Sequence, residues 1–445
     1  MKKITFVYPA IGKKPGTPYI KTWKMEPLPI AVLAALTPPD IEIEFFDDRL
    51  ELIDYDSRTD LVAITVETYT ARRAYGIAGK FRERGIPVIL GGYHPTHLPE
   101  EAAAHADAVV VGNAEGIWRD LLADAKAGNL RKVYQGKTSF EAIQPRRSIF
   151  EGKNYLKLGL VETGRGCPFT CHFCHITTYY DAKYYPRPVA DIVEDIKRSG
   201  KKYFFFVDDN FVANPGHAIA LCKELAKLNI RWSGQGTLTM AKNPELLYWM
   251  AKSGCAVLLI GFESLDEANL KQMNKDWSAR LGERNELVQR IHDHGIHIYA
   301  TFVFGFDNDT PATFDQAVDF SLRHNFFYAA FNHLLPFPGT PLYHQLAEEN
   351  RLTRPTWWLD GSYKYGDIPF RPRQMGGEEL SERCVEARKA FFSRKAIAKR
   401  GLTLLRRKAP AGLLPVYLMS NLNLREEIEG KLNLPLGDGL DELPK

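Results

Sequence analysis

The chain has few cysteines, six in 445 residues, and three of them lie close together, so they do not form the disulfide framework of a secreted domain. No run approaches the roughly 20 apolar residues of a membrane span. In the first residues, MKKITFVYPAIG, Pro9 and Gly12 come too early for a signal-peptide core. A cytoplasmic protein in a reducing compartment is expected.

Net charge is also low, since 58 Lys and Arg face 54 Asp and Glu to give +4. This balance predicts no nucleic-acid partner. The cations are nevertheless concentrated between Arg383 and Lys408, where Glu386 is the single acid. In this basic C-terminal region the cations alternate with apolar residues at helical spacing, as they do in a helix at a membrane surface. A solvated helix face packed on the barrel is the more common cause of this pattern, and peripheral membrane contact is the alternative.

At this length two or three domains are expected. Residues 1–135 alternate short apolar runs with helical patterns, which predicts a Rossmann-like, doubly wound parallel sheet. Residues 136–158 have no clear period and are predicted to be a linker. The five predicted strands of the first domain are ITFVYPA, EIEFFDD, LVAITVET, PVILGG and DAVVVG.

A second strand–helix alternation covers residues 159–350, and six units are too few for a closed eight-stranded barrel. The pattern therefore predicts a partial (β/α)6 barrel, followed by a helical C-terminal cap over residues 351–445. The predicted barrel strands are LGLVETG, YFFFVDD, IRWSGQG, AVLLIGFES, HIYATFVFGF and FFYAAFNHLLPF. Because functional residues of such barrels lie at the carboxyl ends of strands, one polar mouth is expected there.

The three clustered cysteines, Cys167, Cys171 and Cys174, follow the first barrel strand in GRGCPFTCHFCHI. A four-iron cluster normally takes four thiolates, so three cysteines on one loop leave one iron able to bind another molecule. The alternative is a zinc site completed by His172 or His175, although zinc modules usually have a second, distant ligand pair.

The C-x3-C-x2-C spacing, with Phe173 before the last cysteine, resembles the signature of radical S-adenosylmethionine (SAM) enzymes. The resemblance implies a 4Fe-4S cluster on Cys167, Cys171 and Cys174 that binds SAM and cleaves it to a carbon radical. It further implies that VDDN, with Asp208 and Asp209, binds the methionine amino group and that Glu263 binds the ribose. The SAM-contacting residues expected on this basis are Phe173, Asp208, Asp209, Gln235, Glu263 and Gly305.

The first domain looks like the cobalamin-binding domain that precedes the radical module in one subclass of this family. The resemblance lies in the strand pattern, the GGYHP loop and the VVVGNAEG turn. The Asp-x-His-x-x-Gly loop of other cobalamin proteins is missing, because the first loop reads PAIGKKPG. A Rossmann-like domain without cobalamin stays an alternative. The residues expected at the cobalamin are Thr65, Glu67, Thr68, Gly91, Gly92, Tyr93, Gly112 and Glu115.

The function that this resemblance implies is cobalamin-dependent C-methylation of an unactivated carbon. The expected partners are a small-molecule or lipid-like substrate and an external electron donor of the flavodoxin or ferredoxin type. Two alternatives keep the radical module but change the outcome, to cyclisation or rearrangement or to aminocarboxypropyl transfer. A third alternative is a zinc-stabilised binding module.

Overall fold

Residues 3–135 contain one six-stranded parallel sheet in the order β2-β1-β3-β4-β5-β6. The structure, a computed structural model, describes residues 1–138, 143–406 and 412–441. The strands are β1 (Lys3–Tyr8), β2 (Glu42–Asp47), β3 (Leu61–Thr65), β4 (Val88–Gly91), β5 (Ala108–Val111) and β6 (Val133–Gln135). The helices are α1 (Leu28–Leu36), α2 (Ala71–Arg82), α3 (Tyr93–His97), α4 (Pro99–His105) and α5 (Trp118–Lys126), with 3-10 turns at Lys21–Trp23, Thr68–Thr70 and Arg147–Phe150.

A second parallel sheet, in the order β14-β13-β12-β11-β10-β7, forms the partial barrel, and β8 and β9 form a separate antiparallel ribbon. The strands are β7 (Gly159–Val161), β8 (Gly164–Gly166), β9 (Tyr184–Pro186), β10 (Tyr203–Phe206), β11 (Arg231–Gly236), β12 (Cys255–Glu263), β13 (His297–Phe304) and β14 (Tyr328–His333). The helices are α6 (His175–Tyr179), α7 (Val189–Ser199), α8 (Pro215–Leu225), α9 (Pro244–Lys252), α10 (Glu267–Gln272), α11 (Arg284–Asp293), α12 (Pro311–Arg323) and α13 (Pro341–Glu348), with 3-10 turns at Leu238–Lys242 and Asp276–Leu281.

The C-terminal segment packs on both sheets. It contains β15 (Lys364–Tyr365), α14 (Gly377–Phe391), α15 (Arg394–Arg406), α16 (Leu413–Lys431) and β16 (Leu434–Pro435), with β15 and β16 paired antiparallel. Leu380 and Phe391 of α14 join the core of the barrel. Trp357, Trp358 and Leu436 instead join the core of the first domain. This segment therefore bridges the two sheets.

The predicted fold class is confirmed, because both sheets are parallel and helices connect most of their strands. Fully buried apolar runs such as Leu61–Ile64 identify strands with helices on both faces. The sequence pattern missed β6, whose three residues are too short to show a period. The predicted first barrel strand, LGLVETG, contains β7 and ends at Gly164, where β8 begins. Residues 139–142 of the predicted linker and 407–408 of the basic C-terminal region lie outside the described residues. Across the described ranges, no helix is both long and apolar enough to cross a bilayer.

Residues 435–438 contact the loop that follows β1. The backbone N–H of Lys13 donates to the carbonyl of Asp438 at 2.9 Å, and that of Gly437 donates to the carbonyl of Ile11 at 2.6 Å. Gly12 has φ of +152°, and a Cβ there would lie 1.8 Å from the carbonyl oxygen of Pro435. Only glycine fits this position without moving one backbone away from the other.

We predict that Gly12→Ala lowers the free energy of unfolding by about 2–4 kcal/mol, because it combines backbone strain with a backbone collision. Gly16→Ala is the matched control, since Gly16 has φ of +70° but nothing within 4 Å of its Cβ position. The control should lose only about 1 kcal/mol from the left-handed backbone conformation. Denaturant unfolding followed by tryptophan fluorescence measures both changes, and equal losses would contradict the proposed collision.

Candidate active site

The cysteine loop is held by residues that follow β12. The backbone N–H of His172 donates to the carbonyl of Met273 at 3.0 Å. The side-chain amide of Asn274 donates to the carbonyl of Thr170 at 2.9 Å. The ring of Phe169 stacks on Trp277 with centroids 3.8 Å apart. These contacts within the protein hold the cysteine loop, which lies between β8 and α6.

The three thiols lie in surroundings that oppose ionisation. Burial raises the pKa of Cys171 to about 12 and that of Cys174 to about 11, and it also raises the pKa of Cys167. The ammonium of the buried Lys275 acts against this shift at Cys171. Thiolates in such a site need additional positive charge nearby. The iron ions of a 4Fe-4S cluster would supply that charge, so the donor set fits such a cluster.

Asp208, Asp209 and Asn210 follow β10 and turn toward the cysteine loop. One carboxylate oxygen of Asp208 accepts from the backbone N–H groups of Thr163 and Gly164, at 2.6 and 3.1 Å, and the other oxygen contacts the Thr163 hydroxyl. Asp208 is therefore fully engaged within the protein. Burial raises its pKa to about 7 even though these donors lower it.

The other two residues of this turn face the loop itself. Oδ2 of Asp209 accepts from the backbone N–H of Gly166 at 2.8 Å, and the side chain is half-buried. The side-chain amide of Asn210 donates to Sγ of Cys167 at 3.5 Å. Asp209 thus retains a second carboxylate oxygen beside the cysteines. Asn210 contacts a predicted cluster ligand directly, although its sequence position alone gave it no more weight than its neighbours.

Glu263 ends β12 with φ of +61°, a conformation that is unusual for a side chain with a Cβ. Its Oε1 accepts from the ammonium of Lys275 at 2.8 Å, and both side chains are buried. Lys275 was not predicted as a site residue, because a single lysine in a polar turn cannot be distinguished from a surface residue by sequence alone. The pair places one positive and one negative group next to the cysteine loop.

Three further predicted SAM residues are Phe173 in the cysteine loop, Gly305 directly after β13 and Gln235 near the end of β11. Phe173 packs edge-on against Phe306, with centroids 6.2 Å apart, and this contact joins the cysteine loop to the end of β13. Gly305 has φ of +116°, and a Cβ there would lie 2.9 Å from Leu380 of the C-terminal segment. Its N–H donates to the buried Asp309 at 2.8 Å. Gln235 is a half-buried residue of β11.

A cavity of about 630 Å³ lies between the carboxyl edge of the first sheet and the start of the barrel. This volume is typical of a small-molecule or cofactor site. The barrel side contributes Leu160, Val207, Tyr179 and Tyr180. The cobalamin residues predicted from the sequence that line it are Thr65, Glu67, Gly91, Gly92, Tyr93, Gly112 and Glu115.

The structure does not bring Thr68 into this group. Thr68 is buried, and its hydroxyl lies 3.3 Å from Nδ1 of His94, which in turn contacts Glu101. It belongs to the packing beneath the cavity wall. The opposite wall of the cavity is lined by aromatic, proline and aliphatic side chains of the segment from Trp23 to Leu33. This segment was not predicted from the sequence.

Two glycines of the cavity wall lie against the backbone of neighbouring segments. Gly92 has φ of +113°, and a Cβ there would lie 2.7 Å from the carbonyl oxygen of Val66. Gly112 has φ of +81°, and its Cβ would lie 2.7 Å from the carbonyl oxygen of Gly136. The packing of the protein's own backbone therefore requires these glycines before any ligand approaches.

A buried arginine joins the cavity to the cysteine loop. Arg165 lies two residues before Cys167, and its guanidinium contacts Glu115 at 2.5 Å and Glu162 at 2.8 Å. Glu115 comes from the first domain, whereas Glu162 follows β7. The pair with Glu115 thus crosses from the barrel to the first domain, whereas the pair with Glu162 is local. Next to them, the ring of Tyr93 packs on His175 and Tyr179 at 5.1 and 4.7 Å.

Comparison with known proteins agrees with this architecture. Residues 161–321 match the family described as the radical SAM superfamily. The chain is 32% identical over 389 residues to the bacteriochlorophyllide d C-12(1)-methyltransferase of Chlorobaculum tepidum, covering 84% of both chains.

Solved structures show the same fold. The radical SAM methyltransferase TsrM of Kitasatospora setae, solved with cobalamin and a 4Fe-4S cluster, has a TM-score of 0.62 at 17% identity, covering 79% of both chains. The cobalamin-dependent SAM radical enzyme OxsB, solved with aqua-cobalamin, has a TM-score of 0.65 at 14% identity, covering 99% of this chain and 78% of its own.

The two parallel sheets and the three-cysteine loop thus define an α/β enzyme of the radical type. The chain belongs to the radical SAM superfamily, which confirms the resemblance stated from the cysteine spacing. The zinc-stabilised binding module is not supported. His175, the histidine beside the last cysteine, packs its ring among Tyr93, His97 and Phe337.

Glu67 gives a pH-dependent prediction. Its carboxyl group lines the cavity, and burial raises its pKa to about 7. A carboxyl group with a raised pKa in the folded state stabilises the fold at low pH, and this contribution is lost as pH rises from about 4 to about 7. Relative to Glu67→Gln, the wild-type protein should lose of order 1–3 kcal/mol of stability over that interval. Denaturant unfolding of both proteins at each pH measures the difference, and a difference that is independent of pH would contradict the prediction.

Proposed function

We propose that the protein is a cobalamin-dependent radical SAM C-methyltransferase. The observation that carries the proposal is the cavity between the two sheets, whose barrel side is formed by residues adjoining the cysteine loop. A cofactor bound in this cavity would lie next to the cysteine loop, where we propose that SAM is cleaved. The chemistry that the bound cofactors supply is reductive cleavage of SAM and transfer of a methyl group to carbon.

The chain's own residues divide the work of binding. We propose that Cys167, Cys171 and Cys174 hold the 4Fe-4S cluster and that Asn210 donates to the sulfur of Cys167. Asp209 has a carboxylate oxygen available for the methionine ammonium, whereas both oxygens of Asp208 are engaged by Thr163 and Gly164. We therefore assign the SAM contact to Asp209 and a loop-positioning role to Asp208.

At the ribose, a carboxylate that already pairs with an ammonium can still accept from a diol. We propose that Glu263 does so through the oxygen that Lys275 does not contact, and that Lys275 orients the carboxylate. Gln235 and the backbone near Gly305 would contact the remainder of SAM. Phe173 would act through its packing on Phe306, which positions the cysteine loop.

For cobalamin, the proposed contacts are the cavity-lining residues of the first domain, without Thr68. Glu67 places a carboxyl group in an aromatic and aliphatic wall, where it can hydrogen-bond an amide donor of a ligand. Glu115 acts differently, because Arg165 already engages it. We propose that it positions the cavity wall relative to the cysteine loop.

The substrate is proposed to be a small molecule, and the bacteriochlorophyllide in the name of the Chlorobaculum relative is the first compound to assay. Electrons would come from an external donor of the flavodoxin or ferredoxin type. All six cysteines are free thiols, and we propose a reducing, cytoplasmic setting in which the cluster ligands stay reduced.

Cleavage and methyl transfer are tested together on the anaerobically reconstituted protein with methyl-labelled SAM. The wild-type protein should be brown, form 5'-deoxyadenosine and transfer the label to product. Cys171→Ala should lose SAM cleavage, because two thiolates cannot hold the cluster at the same site, whereas Cys222→Ala, at a buried thiol of α8, is the control. Unlabelled product with 5'-deoxyadenosine would indicate cyclisation or rearrangement instead, and labelled methylthioadenosine would indicate aminocarboxypropyl transfer.

Asp208 and Asp209 are separated by two readouts, iron content and SAM affinity. Asp209→Asn should retain the cluster and weaken SAM binding by about tenfold or more, because a charge-assisted hydrogen bond to the ammonium is lost. Asp208→Asn places an amide nitrogen where backbone N–H donors converge, so it should lower iron incorporation. Equilibrium binding of SAM and iron analysis measure the two effects, and the opposite pattern would reverse the assignment.

A further inference from the structure

The hairpin of α15 and α16 carries an unusual concentration of exposed apolar side chains. Of the ten large apolar side chains that are exposed within the described residues, six lie between residues 402 and 422. We call these six the apolar face. Its members are Leu402, Leu405, Val416, Leu418, Met419 and Leu422, with exposures from 38% to 61%.

The side chains of the apolar face are not part of the core between the hairpin and the barrel. Ile397, Leu404 and Tyr417 fill the space between the hairpin and the edge of the barrel, together with Val257 and Phe327. The hydroxyl of Tyr417 donates to the carbonyl of Ile397 at 2.9 Å. The inward faces of both helices are therefore complete.

The apolar side chains of the two helices are neighbours. A Cβ at Gly401 would lie 3.8 Å from Cδ2 of Leu418, so Leu418 of α16 packs beside the residue that precedes Leu402. Leu402 and Leu405 are three residues apart on one helix, and Leu418 and Leu422 are four apart on the other, which places each pair on one helix face. The result is one patch across both helices.

Cations accompany this patch. Arg394, Lys395, Lys399 and Arg406 of α15 are exposed, and the helix contains no acidic residue. The acidic residues of α16 begin at Glu426, beyond the last apolar residue of the face. Apolar side chains beside exposed cations are typical of helices that lie in the headgroup region of an anionic membrane.

We propose that the apolar face docks on an anionic lipid bilayer, with its side chains among the acyl chains near the headgroups and the cations of α15 on lipid phosphates. This proposal goes beyond the methyl transfer proposed above and does not depend on it. A second copy of the chain fits the face less well. A two-fold contact would bring the same cations of both copies together, and like charges in contact repel.

Vesicle sedimentation tests the proposal with the full-length, reconstituted protein. Wild-type protein should bind vesicles of phosphatidylcholine and phosphatidylglycerol, and binding should weaken in high salt and on vesicles of phosphatidylcholine alone. The double substitution Leu405→Gln, Met419→Gln should weaken binding by about tenfold or more, because two inserted side chains become polar. Lys395→Gln, Lys399→Gln should also weaken it, and only on anionic vesicles.

The matched control is Tyr203→Gln, Tyr248→Gln, which changes two exposed aromatic residues elsewhere, with exposures of 59% and 49%. This control should bind as the wild-type protein does. All of the substituted residues are exposed, and circular dichroism and iron content verify that the variants fold. The proposal is overturned if wild-type protein does not bind anionic vesicles, or if the apolar and control variants bind equally. If no protein binds vesicles and sedimentation velocity shows a dimer that only the apolar variant loses, the apolar face is a contact between two copies of the chain instead.

Discussion

The ion pairs of Arg165 are the interaction on which the active site depends. This guanidinium is buried, it lies two residues before the first cluster cysteine, and it contacts carboxylates from both sheets. Removing one partner of a buried pair leaves a charge without compensation, which typically costs about 3–5 kcal/mol. The distance between the cavity of the first domain and the cysteine loop is thus set by electrostatics rather than by apolar packing alone.

Around this contact the site is built from groups whose charge is controlled by their surroundings. Cys171 and Cys174 are thiols that burial keeps neutral until a cation compensates them. Lys275 and Glu263 neutralise each other beside the same loop. Such a site favours the positively charged iron ions of a cluster beside the cysteines and a ligand ammonium beside the half-buried carboxylate of Asp209.

Much of this architecture could be predicted from the sequence, for physical reasons. Parallel strands that are buried on both faces appear as continuous apolar runs, and the residues that follow them must lie at one edge. That is why Asp209, Glu263 and most of the cavity residues could be selected without coordinates. The cysteine spacing identified the chemistry because few other sites need three thiolates within eight residues.

What could not be predicted depends on contacts between distant parts of the chain. The role of Lys275 depends on its contact with the buried Glu263 beside the cysteine loop. The Trp23 to Leu33 segment became a cavity wall only when it crossed the edge of the first sheet. Asp208 and Asp209 look alike in sequence, and the donors of Thr163 and Gly164 distinguish them. At Gly92 and Gly112, the carbonyl oxygens of Val66 and Gly136 leave no room for a Cβ, and these carbonyls come from other segments of the chain.

The backbone contact of Ile11 and Lys13 with Gly437 and Asp438 joins the two ends of the chain. During synthesis the first sheet emerges from the ribosome long before Gly437 and Asp438 do. Ile11 lines the cavity, so this part of the cavity wall is held in place only after residues 437 and 438 have been made. The cavity of the first domain therefore takes its final shape late, and a chain cut before residue 437 would lack the backbone contacts that hold this wall.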